Sequence, residues 1–151
     1  MKKHIRRLPG MINSIKVAIA EDHRIFRKGI ILSMHPYRHI NFVAEAGNGR
    51  ELIEQLPGIE LPEVVLMDIR MPGMDGIETT KYMAIHYPQV RIICLTMFDD
   101  KEFVTEMMAS GACGYLLKNA EPGEINSAIT EVVSKGYYNS SVSGGVLFNK
   151  T

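Results

Sequence analysis

Val64-Val65-Leu66-Met67-Asp68 runs straight into Ile69-Arg70-Met71-Pro72-Gly73-Met74-Asp75-Gly76. Its first four residues are continuously apolar, the pattern of a strand covered on both faces, as in a parallel sheet. Asp68 ends the run, and Pro72-Gly73 then turns the chain. A carboxylate on the last residue of a buried strand is presented at the sheet's C-terminal edge, where ligands bind in open α/β sheets.

Four more short apolar runs flank this one: Ile15–Ala20, Ile40–Ala46, Arg91–Thr96 and Gly114–Leu117. All but the second are nearly continuous in apolar character. Between them lie segments with helical spacing. Ile125, Ala128, Ile129, Val132 and Val133 make an amphipathic face. So do Phe103, Val104, Met107 and Met108, then Ile77, Thr80, Ala84 and Tyr87, and less regularly Ile25, Phe26, Ile30, Ile31 and Met34. Asp75 with Glu78 predicts a capping-box start, and Pro122 the head of a last helix ending near Lys135. Gly47-Asn48-Gly49 and Pro57-Gly58 mark loops. Alternating strands and helices at this length predict right-handed βαβ units in a doubly wound, five-stranded parallel sheet.

Composition bounds the function. A chain of 151 residues is about one domain, and 46% apolar with 23% charged residues is ordinary for a globular protein. No run approaches the roughly 18 apolar residues of a membrane span. Residues 1–13 carry Lys2, Lys3, Arg6 and Arg7 but no apolar core, so a basic, disordered arm is expected there, not a secretory signal. The zero net charge hides an imbalance: outside the arm stand 13 bases against 17 acids, a net −4. An acidic body is poorly suited to holding nucleic acid by phosphate neutralisation. Cys94 and Cys113 have no metal or disulfide spacing, and the five histidines are scattered, so both types read as structural or surface residues in a reducing cytoplasm.

Every strand of a parallel sheet ends on the same rim. Glu21 and Asp22 follow the first strand, Asp68 ends the third, Thr96 the fourth, and Lys118 follows the fifth. Three carboxylates together repel, and a hard cation such as Mg2+ relieves them. Lys118 adds a fixed positive charge and Thr96 a hydroxyl. These are the parts phosphoryl transfer needs: positioning, in-line attack and charge neutralisation. Taken singly, Asp22 could be a helix N-cap, Glu21 a solvated loop acid, Thr96 a strand residue and Lys118 a surface lysine. Asp68 has no such ordinary explanation.

The chain from about Ser14 to Lys135 resembles the receiver domain of bacterial two-component response regulators. The resemblance rests on Val17-Ala18-Ile19-Ala20-Glu21-Asp22-His23, on Val64 to Gly76, on Ile93-Cys94-Leu95-Thr96 and on Gly114-Tyr115-Leu116-Leu117-Lys118. It implies a flavodoxin-like sheet of order 2-1-3-4-5. It also implies that Asp68 is the phosphoacceptor for a histidine kinase's phosphohistidine. Asp22, Asp68 and the backbone carbonyl of Arg70 would ligate Mg2+, with Glu21 assisting through water. Lys118 would pair with the phosphoryl oxygens, Thr96 would swing to hydrogen-bond the phosphoryl group, and Tyr115 would turn inward behind it. Such a domain is a Mg2+-dependent phosphoacceptor, not a conventional enzyme.

Asp22-His23, Leu95 to Asp99, Gly111 to Lys118 and Lys135-Gly136-Tyr137-Tyr138 are similar to the NarL/FixJ branch, which carries LuxR-type helix-turn-helix domains. On that footing residues 14–135 are the receiver domain, and residues 136–151 begin a linker to an output domain absent from this chain. DNA would be bound only through that domain, a homodimer is a possible output, and no membrane is involved. A stand-alone receiver signalling through protein–protein interaction is the alternative. Met97 and Asn119 stand where relatives often carry a small residue and a proline, so no cis peptide is expected at Asn119. Arg70 and Phe98 occupy positions that tune dephosphorylation in relatives. An aspartyl-phosphate phosphatase would want an acid at position 70, and a flavin or dinucleotide module a glycine-rich loop where Glu21-Asp22-His23-Arg24 stand.

Overall fold

Strand β1 (Ile15–Ala20) lies between β2 (Ile40–Ala46) and β3 (Val64–Asp68), and β4 (Arg91–Thr96) and β5 (Gly114–Leu117) follow outward from β3. All four pairings are parallel, giving the order β2-β1-β3-β4-β5. These strands have the bounds read from the sequence. The computed structural model describes residues 14–97 and 100–139. The expected arm at 1–13, Phe98 and most of the expected linker lie outside those residues.

β2 explains its own broken pattern. It pairs on one side only and is largely half-buried, so continuous apolarity is not required of it. Its register against β1 shifts between Val17 and Ala18, leaving Val43 as a bulge. The central β3 is buried throughout, Asp68 included.

The strand period of two sorts the core into two layers. Val17, Ile19, Leu66, Ile93, Leu95 and Leu116 face helices α1 (Arg24–Ser33) and α5 (Pro122–Lys135), whose Ile30, Met34, Ile125, Ala128, Ile129 and Val132 meet them. Ala18, Ala20, Val65, Met67, Ile92, Cys94 and Tyr115 face α2 (Gly49–Gln55), α3 (Gly76–His86) and α4 (Lys101–Ser110). Continuing each alternation past the strand ends assigns Glu21, Asp68 and Lys118 to the α1/α5 side, and Thr96 and Tyr115 to the other.

The helices show where periodicity misleads. Ile25 of α1 is 87% exposed, because the buried stripe of that helix runs through Ile30 to Met34. In α3 the inward face is Ile77, Thr79, Thr80 and Met83, whereas Ala84 is exposed. Gly49, expected in a loop, opens α2: the Asn48 side chain accepts from the Glu51 amide at 2.9 Å and starts the helix. A 3-10 turn at Leu56–Gly58 follows.

Two glycines shape the loop after Asp68. Gly73 has φ +76°, a left-handed value that favours glycine. A Cβ on Gly76 would overlap the Asp68 carbonyl, and the Gly76 amide donates to Ile69 O at 2.8 Å. The chain therefore folds α3 directly against the backbone of Asp68. The expected capping box is complete, with Glu78 N donating to Asp75 Oδ1 at 2.9 Å and Asp75 N to Glu78 Oε1 at 3.2 Å.

Packing continues past α5. Tyr138 is buried against the α1/α5 layer, and its amide donates to Cys113 O at 2.9 Å. Among the described residues all peptide bonds are trans, and no helix is long and apolar enough to cross a membrane.

Candidate functional site

Three strands deliver one ionic cluster. The Lys118 ammonium lies 3.0 Å from Asp68 Oδ1 and 3.1 Å from Glu21 Oε1. Glu21, weighed above as a solvated loop acid, is fully buried. Its Oε2 accepts from the His23 amide at 3.0 Å, and its carbonyl accepts from Arg27 Nη1 at 2.6 Å. Arg27 in turn pairs with Glu45 at 2.8 Å, so the loop after β1 is stapled to β2 and α1. The Lys118 ammonium also sits 5.3 Å from the centroid of the Phe26 ring, which shields it from water.

One cation cannot neutralise two buried carboxylates. Burial first, then the neighbouring Glu21 charge, push the Asp68 carboxyl up to about 6 against the pull of Lys118, and Asp22 adds to the rise. Lys118 moves up as well: burial alone would lower it, but Asp68 and Glu21 together prevail. The two shifts agree physically. The ammonium has anions to spare, and the anions lack cations.

Asp22 is exposed on the same rim, and its charge is felt at Asp68. It does not cap α1, whose N-cap position is His23 with no side-chain hydrogen bond. Ligand atoms of Glu21, Asp22 and His23 lie within 4.8 Å of one another. The histidine was not foreseen, because only its adjacency to the acids points to it. Imidazole is a poor partner for a hard ion, which leaves the oxygens as the meaningful donors.

The donor set fits a divalent cation on one further observation. Glu21 Oε1 is buried and, despite its ion pair with Lys118, accepts no hydrogen bond of acceptable angle. An orphaned buried carboxylate oxygen in a cluster with excess negative charge is a place where a cation is stabilised.

Thr96 and Tyr115 occupy the opposite side. Thr96 is 2% exposed and its hydroxyl donates to the adjacent Met97 carbonyl at 3.1 Å. Tyr115 is 7% exposed on β5, paired with Cys94 of β4. Cys94 is fully buried, and burial pushes its thiol well up, so it is an inert neutral neighbour. Met97 is over half exposed and does not fill the site. Arg70 sends its side chain to Asp100 at 3.1 Å and over the Phe103 ring at 4.7 Å. An open cavity of about 450 Å3, lined by Asp22, Ile69, Arg70, Met71, Asp75 and Phe103 among others, adjoins the cluster. Sequence reading found the acids, the hydroxyl and the ammonium, but missed Arg27, Asp100 and Phe26, whose residue types are ordinary in helices.

Residues 17–130 match the family model described as the response regulator receiver domain. The transcriptional regulatory protein DegU of Brevibacillus brevis is 36% identical over 128 residues, covering 83% of this chain and 53% of that protein. LnrK of Bacillus subtilis (strain 168), also a transcriptional regulatory protein, is 38% identical over 122 residues, covering 81% and 55%. The isolated receiver domain of RcsB from Salmonella enterica serovar Typhimurium, solved with the phosphomimetic BeF3−, superposes with a TM-score of 0.77 at 31% identity, covering 87% of this chain and 97% of that one. The chain thus spans about half the length of the curated relatives it matches.

Proposed function

This chain belongs to the response-regulator receiver family, and from that membership we propose that Asp68 accepts a phosphoryl group from the phosphohistidine of a histidine kinase. The observation that carries the reading is the Asp68 carboxylate itself. It ends the central strand, 3.0 Å from the Lys118 ammonium, in a cluster with more negative than positive charge.

Asp68 attacks phosphorus through a carboxylate oxygen. The O–P bond forms as the N–P bond of the phosphohistidine breaks, and the electron pair leaves with the imidazole nitrogen. Asp22, Asp68 and the Arg70 carbonyl would hold Mg2+, with Glu21 assisting through water. Such an ion would supply neutralisation of the acids and the phosphoryl oxygens, so that two anions could approach. Lys118 takes over a phosphoryl oxygen, and its site is already dry enough for that contact to be strong. Thr96 exchanges its Met97 carbonyl for the phosphoryl group, and Tyr115 is the inward aromatic behind it.

Residues 14–135 act as the receiver domain, with 1–13 as a basic arm and a linker to a DNA-binding output domain starting within 136–151, beyond the buried Tyr138. Phosphorylation shifts a conformational equilibrium, and a homodimer is the form that regulates transcription. The domain is a phosphoacceptor, not a turnover enzyme. The free thiols Cys94 and Cys113 suit a reducing cytoplasm.

The test is incubation with phosphoramidate and Mg2+, followed by intact mass measurement. One phosphate is expected on the wild type, none on Asp68→Asn, and none after chelation. Labelling that persists in Asp68→Asn sinks the assignment.

A further inference from the structure

Asp100 stands at the N-cap position of α4, yet its side chain makes no bond to the helix amides. The same chain shows what such a residue ordinarily does. Asn48 and Asp75, at the N-caps of α2 and α3, each accept from the amide three residues on. Asp100 instead turns to Arg70, Oδ1 to Nη2 at 3.1 Å. Its backbone, φ −101° and ψ 37°, is off the extended geometry of the other two caps. The carboxylate is nearly buried, at 9% side-chain exposure, whereas the Arg70 side chain is 66% exposed. One partner is fixed and the other is free to leave.

Arg70 is two residues beyond Asp68, and its side chain lines the same cavity as Asp22. Its guanidinium rests 4.7 Å from the Phe103 ring centroid, in the first turn of α4. Asp68 and Asp100 both act to raise the titration of the buried Cys94 thiol, after burial itself, so both acids lie near that sulfur. The residue two places beyond the acid proposed to take the phosphoryl group is therefore tied through its side chain to the acid that begins α4.

We propose that Arg70 is a second phosphoryl-contacting residue, held in reserve by Asp100, and that its transfer to a phosphoryl group on Asp68 releases Asp100 to cap α4. This rests on the phosphoacceptor reading above. Each group has two competing uses, and phosphorylation changes which set prevails. A phosphoryl group carries more charge than a carboxylate and accepts a guanidinium bidentately, so it outbids Asp100. Asp100 then recovers what it loses from the first-turn amides and the positive end of the helix. α4 thereby gains an N-cap only in the phosphorylated state.

The experiment uses the 151-residue chain with Mg2+ and beryllofluoride as the phosphoryl mimic. Affinity is read by calorimetry, and amide exchange at Glu102 and Phe103 by NMR. In the wild type, beryllofluoride should slow those two amides. Arg70→Ala should weaken beryllofluoride binding by about tenfold, the loss of one charge-assisted contact. Asp100→Asn frees Arg70 and should tighten it by about threefold. Both variants should show slowed Glu102 and Phe103 amides before any ligand is added. Equal affinities in all three proteins overturn the proposal. So does weakening in both variants, which would mark the pair as merely structural, or wild-type amides indifferent to the ligand. A wild type that binds no beryllofluoride at all overturns the phosphoacceptor reading too, which separates the two failures.

Discussion

Lys118 and Asp68 meet at 3.0 Å although they leave strands that are not neighbours, since β4 lies between β3 and β5. The ammonium reaches across the end of β4 and also touches Glu21, which leaves β1 on the far side of β3. One side chain thus ties together the ends of three strands. Their carboxylates were brought near one another by apolar packing that has no regard for charge. The cost is a cluster short of one positive charge, and that shortage favours a cation.

Removing the ammonium should expose this imbalance. Lys118→Met keeps the apolar stem but leaves Asp68 and Glu21 buried without their cationic partner. We expect a loss of about 2 kcal/mol at pH 8, below the full cost of breaking a buried pair because Lys118 is partly exposed. The loss should shrink toward pH 4, as Asp68 takes up a proton, and shrink at pH 8 when Mg2+ is added. Urea unfolding at both pH values checks it. A pH-independent loss would mean that Lys118 contributes packing only.

Asp68→Asn should act in the opposite direction. With its carboxyl raised to about 6 from an ordinary 3.8, the folded state holds a proton that the unfolded chain releases. Below about pH 4 both states are protonated and the group contributes nothing. As pH rises through 6 the folded state becomes less stable, and the penalty is fully present above that. Asp68→Asn removes it, so the variant should exceed the wild type by roughly 1–3 kcal/mol at pH 8 and equal it near pH 4. Saturating Mg2+ should narrow the gap from the wild-type side. Thermal melts across that range decide the matter, and a wild type as stable as the variant at pH 8 refutes it.

The strands were legible because burial on two faces forces continuous apolar runs, and Val64 to Met67 permits no other reading. The rim followed, since parallel strands must end together. Partners carried by helices left no such trace. Arg27 and Asp100 are charged residues of a common kind, and only tertiary packing turns Arg27 toward the Glu21 carbonyl and Asp100 away from its own helix. Nor did spacing foretell that Ile25 is exposed, because the tilt of a short helix on the sheet decides which apolar residues of a wide stripe touch it. The orphaned oxygen of Glu21 has no sequence signature either. It depends on an angle at Lys118.

Tyr138 lies beyond α5 yet belongs to the packed interior, with its amide bound to Cys113 O and its hydroxyl 3.5 Å from Glu124. Tyr138→Ala should cost about 3 kcal/mol, the usual range for a large buried aromatic. Gly114, which the Tyr138 backbone approaches closely, opens β5 at the end opposite Lys118, so phosphate uptake on Asp68 should be unchanged. Denaturant unfolding and mass measurement give the two halves. A melt unaltered by the substitution would show that the anchor contributes nothing.

Thr96 offers the sharpest separation of chemistry from signalling. Its hydroxyl is engaged with the Met97 carbonyl at 3.1 Å and supplies no bond to Asp68 in this state. Thr96→Ala should therefore leave the acids, Lys118 and the approach to Asp68 intact, and phosphate should still add from phosphoramidate. The stability cost should be about 1 kcal/mol, that of one hydrogen bond in a buried position. What should disappear is the consequence. Without a hydroxyl to follow the phosphoryl group, nothing draws the end of β4 inward, although Tyr115 is already buried beside it. Size-exclusion chromatography before and after phosphorylation should show a shift in association for the wild type and none for the variant. A phosphorylated Thr96→Ala protein that associates as the wild type does would take the relay away from this hydroxyl and leave Arg70 and α4 as the route.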